Sequence, residues 1–366
     1  MRGFSTIERV LLVAVVIVTA LAGVTRYAQG VSEVVAFVFA TLALAGQAWI
    51  VSLCTEQIGT RLGPAATGLL QSTVGNLPEF FVVIFALGAG QLIVAQTAIL
   101  GSILVNALLV LGLVIVAGAR RAADGVMRFS ARLPNDTATL LLISAFIIVS
   151  IGLADSAHDP ASHHTKTISI IGAVAILVVY ASWLRQYLSS EDSPRAENGS
   201  DAEGQSDRGR EKPRLSMPTS IALLVAAGAA SAFVSDWFVH ALQPTIHTLH
   251  ISQAFAGLVI VAVAGNAVEN VAGIVLAAKG RSELAISVVK NSIAQIAAFL
   301  YPLLVLVSLL TTTTLTFALA PVYIGALFGT AVIVWQVTGD GEATVFEGVA
   351  LIATFVILAT VAAFET

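Results

Sequence analysis

Two short motifs place a carboxylate and an amide inside otherwise apolar stretches of the sequence. They span Gly75–Glu79 and Gly265–Glu269, and both have the form Gly-Asn-x-x-Glu. A charged side chain at the centre of a bilayer costs about 2.5–3.5 kcal/mol on insertion scales, so such residues usually face a cavity and handle ions or protons. We therefore interpret both motifs as parts of an ion or proton site. The alternative is that each Glu is a protonated packing residue.

The spacing within each motif suits a hard cation. Residues three apart on a helix share a face, which pairs Asn76 with Glu79 and Asn266 with Glu269. Carboxylate and amide oxygens are ligands that Ca²⁺ accepts, together with backbone carbonyls. The two carboxylates, Glu79 and Glu269, are therefore the predicted metal ligands, and no catalytic residue is predicted.

A constant offset relates the two motifs. Position 265 minus position 75 is 190, and the same subtraction joins Ser292 to Ser102, which indicates that two halves of the chain repeat one unit. Each motif begins with a glycine, Gly75 or Gly265, and the first also contains Pro78. These residues loosen a helix and free carbonyl oxygens, and broken helices at the midplane are a recurrent feature of transporters.

Polar residues on the helices after the motifs extend the predicted site. They are Ser102 and Asn106 in the first half, and Ser292 and Gln295 in the second. Each could complete a coordination shell, or could serve as an interhelical hydrogen bond, which is the other common use of polar side chains in membrane helices. Only their pairing across the repeat favours the first interpretation.

Composition places these motifs in a polytopic membrane protein. The chain is 57% hydrophobic and only 11% charged, with a mean hydropathy of +0.92. A bilayer core of about 30 Å needs roughly 20 helical residues, and continuously apolar runs of that length favour helices over a β-barrel. We predict eleven membrane helices, near residues 9–25, 31–54, 65–88, 92–118, 137–154, 167–187, 218–241, 252–278, 284–310, 312–334 and 344–364.

The distribution of positive charge predicts the orientation. Lys and Arg accumulate in cytoplasmic loops. With a cytoplasmic N-terminus, fifteen of these residues fall inside, Arg26 and Lys166 fall outside, and Lys290 lies within a helix. The third and eighth helices, which carry the motifs, then run in opposite directions. The predicted fold is all-α, with one N-terminal helix followed by an inverted repeat of five plus five helices.

The chain accordingly divides into four parts. Residues 1–30 are predicted to form the N-terminal helix, which also resembles a cleavable signal peptide, and residues 31–188 the first repeat. Residues 189–218 contain seven acids and five bases and almost nothing to bury, so we predict a disordered cytoplasmic linker, either a solvated spacer or a regulatory segment. Residues 219–366 are the predicted second repeat.

Beyond these patterns, the sequence resembles the cation/proton exchangers, the Ca²⁺/H⁺ antiporters of the cation/Ca²⁺ exchanger superfamily. The resemblance implies the inverted repeat with an extra first helix, and Ca²⁺ bound between the two motif glutamates and nearby oxygens in exchange for protons. It covers most of the chain and is carried by residues 55–63 leading into 75–79, by 100–112, 235–237, 251–269 and 295–302, and by the pairs 340–341 and 347–348.

Several positions near the implied site depart from the family pattern. Val105 and Ile293 replace serines, Asn291 replaces a glycine, Asn270 stands where a histidine is common, and Lys290 replaces an apolar residue. These departures leave the transported ion open. Lys290 could extend to the cytoplasmic interface, or could reach the site and tune ion preference.

Two acids near helix ends form a second group. Glu56 and Asp236 match family positions on helices that the resemblance makes gates, so each is a candidate relay for ions or protons or an ordinary solvated acid. All six histidines fall in two predicted external loops, where sensing of pH or metal competes with simple solvation.

The sequence thus predicts an antiporter that exchanges Ca²⁺ for H⁺ by alternating access. Na⁺/Ca²⁺ exchange or monovalent cation/H⁺ exchange by the same fold is the alternative, and an intramembrane enzyme or a channel is more remote. No cofactor and no nucleic acid partner are expected, because no phosphate-binding G-x-x-x-x-G-K or zinc-binding H-E-x-x-H motif occurs. The expected surroundings are the lipid bilayer of a prokaryotic cell membrane, and a homo-oligomer is left open.

Overall fold

The computed structural model describes residues 4–62, 70, 74–130, 132–191 and 214–365. This part of the chain is helical apart from its connections and one antiparallel pair of short strands. In chain order the elements are α1 (Thr6–Tyr27), α2 (Glu33–Leu62), α3 (Leu77–Gly88), α4 (Leu92–Arg121), β1 (Val126–Arg128), α5 (Arg132–Ser156), α6 (Thr165–Glu191), α7 (Met217–Leu249), α8 (Gln253–Gly265), α9 (Ala267–Ala278), α10 (Ser282–Leu310), α11 (Pro321–Thr338), β2 (Glu342–Thr344) and α12 (Val345–Ala363).

The described helices confirm a polytopic membrane protein. Nine of them are long and apolar enough to cross a membrane, and α8 with the helix that follows it, bent by 60° at the break, makes ten if the bent pair is one span. Helix α3 is a shorter apolar helix within the predicted third span. Residues 65–69 and 71–73 of that span lie outside the described residues, so the count of eleven stays a prediction.

Several predicted boundaries were wrong, including the end of the second span, because α2 continues past the predicted residue 54 to Leu62. The tenth span, predicted from residue 312, begins at Pro321 because a residue before proline avoids the helical region, and Ala320 is extended at φ −59° and ψ 144°. Helix α7 continues past the predicted residue 241 to Leu249, and it accommodates Pro244 in its interior. At the edges of the predicted linker, α6 continues to Glu191 and α7 begins at Met217. Residues 192–213 lie outside the described residues.

The backbone repeats at the offset found in the sequence. Helices α3 and α9 both have 12 residues and begin 190 positions apart, at residues 77 and 267. The glycines that follow them, Gly90 and Gly280, both adopt positive φ, at 75° and 77°. Stretches of π-helix also recur, at Val105–Val110 in α4 and Ile296–Leu300 in α10. Helix α3 ends just before α4 begins, whereas Gly280 after α9 lies beside Arg121 at the other end of α4, so the two copies run in opposite directions.

The loops that connect the helices lie at two opposite ends of the bundle, in agreement with the inside and outside loops that the charge pattern predicts. At one end β1 pairs with β2, and the backbone N–H of Ser130 donates to Glu283 at 2.7 Å. Arg128 also donates to Asp124 there at 2.6 Å and lowers the pKa of that carboxyl. At the other end Gln96 donates to the carbonyl of Ala318 at 2.8 Å. The first end gathers the basic loops that the sequence places in the cytoplasm.

Candidate ion-binding site

A break in the helical backbone positions the first motif. Asn76 has φ −92° and ψ 17°, and α3 begins immediately after it, with Pro78 in its first turn. Gly75 lies in the π-helical turn just before. Glu79 is 7% exposed and also stands in the first turn of α3. The unpaired N–H groups and the positive end of a helix stabilise a carboxylate at that position.

The second motif has the same backbone. Asn266 separates α8 from α9 at φ −96° and ψ 9°, within a few degrees of Asn76. Glu269 therefore occupies the backbone position in α9 that Glu79 occupies in α3. The side chain of Glu269 lies outside the described structure, so the approach of the two carboxylates stays a prediction.

The two motifs meet at Gly265. A Cβ atom placed on this glycine would lie 2.8 Å from Cγ and 3.2 Å from Oε1 of Glu79. Real Cβ atoms avoid so short a distance, so only glycine lets the second motif approach the carboxylate of the first. The glycine predicted to loosen the helix therefore has a second role in packing.

A hydrogen-bond network joins the two halves beside Glu79. Asn266 donates through Nδ2 to Ser102 Oγ at 3.0 Å and accepts at Oδ1 from Asn106 Nδ2 at 2.9 Å. All three side chains are buried. Ser102 and Asn106 therefore form interhelical hydrogen bonds, which is the alternative to ion binding that the sequence left open. Ser102 can still present one oxygen lone pair to an ion, because a hydroxyl has two acceptor sites and Asn266 uses one of them.

Helices α4 and α8 approach closely around this network. A Cβ on Gly101 would lie 2.4 Å from the carbonyl oxygen of Leu258, and one on Gly257 would lie 2.0 Å from Oγ1 of Thr97. Such small residues allow helix backbones to approach each other within membranes. The packing leaves a cavity of about 10 Å³ lined by Glu79, Val83, Ala98, Ile99, Ser102, Val261 and Leu300, which is room for about one water-sized species.

The polar residues of α10 lie apart from that cavity. Ser292 and Gln295 are buried, but neither lines it, and Leu300 is the member of α10 that does. The structure thus brings Glu79, Ser102 and Asn106 of the first repeat together with Asn266 and Gly265 of the second. It does not bring the predicted α10 ligands into the same cavity.

Two residues near the site, Asn270 and Ser235, were not among the site residues predicted from the sequence. Asn270, one turn beyond Asn266, is buried with Oδ1 lacking a hydrogen-bond donor among the described residues, so it is a candidate oxygen ligand. The Asn76 amide nitrogen likewise lacks an acceptor in the described part of the chain. Ser235 is buried and donates to the carbonyl of Pro78 at 3.4 Å, which ties α7 to the start of α3. The sequence signal at this position is the family resemblance of residues 235–237, which include the predicted relay acid Asp236.

The predicted relay acids are more solvated than Glu79. Glu56 is exposed on α2. The side chain of Asp236 is 38% exposed, and its Oδ1 lies 3.5 Å from Nδ1 of His240. Both positions are compatible with an entrance to the site and with ordinary solvation.

Lys290 is enclosed by protein. It is 1% exposed, and its Nζ donates to Oγ1 of Thr338 at 2.9 Å, while Thr338 donates to the carbonyl of Val334. Its side chain therefore ends at the carboxyl-terminal turn of α11, where the helix dipole favours a cation. It neither reaches solvent nor lines the cavity beside Glu79.

Comparison with known proteins places this geometry in a family. The sodium/calcium exchanger protein family model matches residues 32–185 and 219–364. The Ca(2+)/H(+) antiporter of Synechocystis sp. is 30% identical over 341 residues, which cover 90% of this chain and 91% of that protein. The vacuolar calcium ion transporter of Schizosaccharomyces pombe is 32% identical over 329 residues, 88% of this chain and 77% of the transporter.

The fold is also that of a solved structure. Native YfkE matches with a TM-score of 0.77 at 24% identity, over 97% of this chain and 98% of YfkE. The family model, the two sequence relatives and this fold confirm the resemblance inferred from the motifs, and the chain belongs to the sodium/calcium exchanger protein family.

Proposed function

We propose that this integral membrane protein exchanges Ca²⁺ for protons by alternating access. The observation that carries the proposal is the burial of Glu79 against Gly265. This contact places an acid of one repeat on the broken helix of the other, where a small cavity can hold a single ion. The names of the relatives from Synechocystis and Schizosaccharomyces support Ca²⁺ as the ion.

Competition for the carboxylate couples the two fluxes. A carboxylate that binds Ca²⁺ must be deprotonated, so protonation from one side of the membrane releases the ion and deprotonation permits the next to bind. Glu79 and Glu269 are the shared carriers in this scheme. The proton gradient supplies the energy, so the protein needs no cofactor and acts as a transporter without enzymatic chemistry.

Neutral oxygens complete the proposed site. Asn270 supplies the amide oxygen Oδ1 from the second broken helix, and Ser102 supplies a hydroxyl. Asn76 would supply its own amide oxygen from the first broken helix. Ca²⁺ takes about six to eight oxygen ligands, so water and backbone carbonyls freed at the helix breaks would fill the shell. Ser292 and Gln295 would join it only if α10 moves during the transport cycle.

Relay and orientation belong to the same proposal. Glu56 and Asp236 would pass ions or protons at the two mouths of the pathway, since both are partly or fully exposed. The N-terminus would lie in the cytoplasm of a prokaryotic cell, because the basic loops cluster at that end of the helices.

A second candidate is exchange of Na⁺ or another monovalent cation. It is favoured by Val105 and Ile293, two fully apolar buried residues where the family resemblance implies serines. Loss of two hydroxyls lowers the number of oxygens that a divalent ion could use.

Ion flux across proteoliposomes tests the proposal. Purified protein is reconstituted with a trapped pH indicator, and outward gradients of Ca²⁺, Na⁺ or K⁺ are imposed in turn. We expect proton movement driven by Ca²⁺ and a Ca²⁺ flux reversed by an opposing pH gradient. Proton flux driven by Na⁺ or K⁺ but not by Ca²⁺ would establish the second candidate instead.

A further inference from the structure

An apolar groove runs between α1, α2 and α7, away from the ion site. It has a volume of about 810 Å³, and its walls include Val16, Ile50, Ala226 and Ala230. Its two polar side chains away from the aromatic end bond to each other, because Gln47 donates to Thr19 Oγ1 at 2.9 Å. The groove therefore offers an apolar occupant almost nothing but hydrocarbon contact.

One end of the groove has the features of a membrane interface. The rings of Tyr27 and Trp237 border it there and stack edge to face, with centroids 6.5 Å apart. Tyr and Trp concentrate at the level of lipid headgroups. This is the end that the charge pattern places outside the cell, where Arg26 and Lys166 are the only predicted external Lys or Arg residues.

A cation stands at this end. The guanidinium of Arg26 lies 5.5 Å from the centroid of the Tyr27 ring, and this partly exposed side chain makes no ion pair among the described residues. A planar guanidinium binds phosphate through paired hydrogen bonds. An anion beside the mouth of the groove would therefore pair with this charge.

The shape of the groove selects the occupant. At the aromatic end a Cβ on Gly23 would lie 3.0 Å from the ring of Trp237, so α1 and α7 nearly close on each other. A helix from a second copy is about 10–12 Å wide with its side chains and could not pass that point. A single acyl chain is much narrower and can lie in the groove below that point.

We propose that this groove binds an anionic phospholipid, with an acyl chain between α1, α2 and α7 and the phosphate at Arg26. Helix α1 buries little of its surface against the rest of the protein, because only 11% of an apolar stretch of 18 residues within it is buried. The bound lipid fills the space between α1 and its neighbours α2 and α7 and so stabilises their packing. This binding site is independent of the proposed transport reaction.

Lipid retention by purified protein tests the site. Delipidated protein in detergent is given phosphatidylglycerol or phosphatidylcholine with the same acyl chains, and bound lipid and melting temperature are measured by native mass spectrometry and thermal unfolding. We expect wild type to retain phosphatidylglycerol in preference and to melt at a higher temperature with it. Equal effects of the two lipids would overturn the proposal, and so would equal stabilisation by inorganic phosphate.

Matched variants locate the two parts of the lipid. Arg26→Gln should weaken phosphatidylglycerol retention about fivefold, the effect of one basic residue at an anionic headgroup, and Arg26→Lys should restore part of it. Lys166→Gln, which removes the other external charge, should change nothing. Unchanged retention in Arg26→Gln would refute the headgroup assignment.

The acyl chain has its own pair of variants. Ala226→Phe fills the groove and should abolish retention, whereas Ala229→Phe, on an exposed part of α7 that does not line the groove, should not. A doubled mass without bound lipid, lost in Ala226→Phe, would show a second copy of the chain in the groove and overturn the lipid proposal.

Discussion

The two repeats break their helices with nearly the same backbone angles at Asn76 and Asn266, but they differ on the following helix. The first repeat buries Leu100 in the core, and the second buries Lys290 at the equivalent position. The partner position differs in the same way. Thr338 accepts from Lys290, and 190 residues earlier stands the buried Ile148. The repeat thus preserves the backbone that forms the site, while side chains make its two sides chemically unequal.

The largest expected effect tests whether the halves are equal in their carboxylates. Glu79→Gln and Glu269→Gln should each abolish Ca²⁺-driven proton flux, because an amide cannot alternate between ion-bound and protonated forms. Glu342→Gln, an exposed acid on β2, serves as the control. Flux close to wild type in a correctly inserted Glu79 or Glu269 variant would contradict the assignment.

Contact between the repeats is tested next. Gly265→Ala should weaken apparent Ca²⁺ affinity, because its methyl group would collide with Glu79, and forced contacts of this kind cost about 1–3 kcal/mol. Gly325→Ala on α11 is the matched control, since a Cβ there meets nothing within 4 Å. Equal Ca²⁺ titrations of the two variants would show that Gly265 does not position the carboxylate.

The network between repeats should contribute less. Ser102→Ala leaves Asn266 Nδ2 with only its bond to the carbonyl of Ala262, and losing a buried hydrogen bond costs about 1–3 kcal/mol. We expect lower thermal stability together with weaker Ca²⁺ binding. If Ser102 serves only as an interhelical bond, stability should fall while the Ca²⁺ half-saturation concentration stays at the wild-type value.

Replacing Lys290 and Thr338 by apolar residues tests the chemical difference between the two repeats. The double variant Lys290→Leu with Thr338→Ile gives the second repeat the apolar pair of the first. We expect tighter apparent Ca²⁺ affinity, because a buried positive charge repels a divalent ion through the protein interior. Thr338→Val alone, which removes the hydroxyl acceptor but keeps the amine, is the control. An unchanged half-saturation concentration in the double variant would refute a tuning role for Lys290.

The smallest effect is expected at the connection between the halves. Deleting residues 192–212 should preserve exchange in vesicles, because this segment has too few apolar residues to bury. The rate is compared with that of the full chain at equal protein density. Complete loss of flux in a properly inserted deletion would assign the segment to the transport machinery.

Much of the fold was predictable because a membrane helix needs a continuous run of about 20 apolar residues, which is visible in the sequence. Continuous apolarity predicted most spans, and the offset between Gly75 and Gly265 predicted the repeat that Gly90 and Gly280 now display in their backbone. The start of α11 was missed because an apolar stretch resembles a helix whether or not its backbone is helical. Only the proline at 321 carried a local signal of the true boundary.

The sequence by itself determined the membrane class, the duplication and the two carboxylate motifs, because each depends on residue type and spacing along one chain. Tertiary structure decided which side chains meet. Gly265 against Glu79, Asn266 on Ser102 and Lys290 on Thr338 all join different helices. These contacts depend on how each helix is rotated and tilted against its neighbours, which packing sets and hydropathy does not encode.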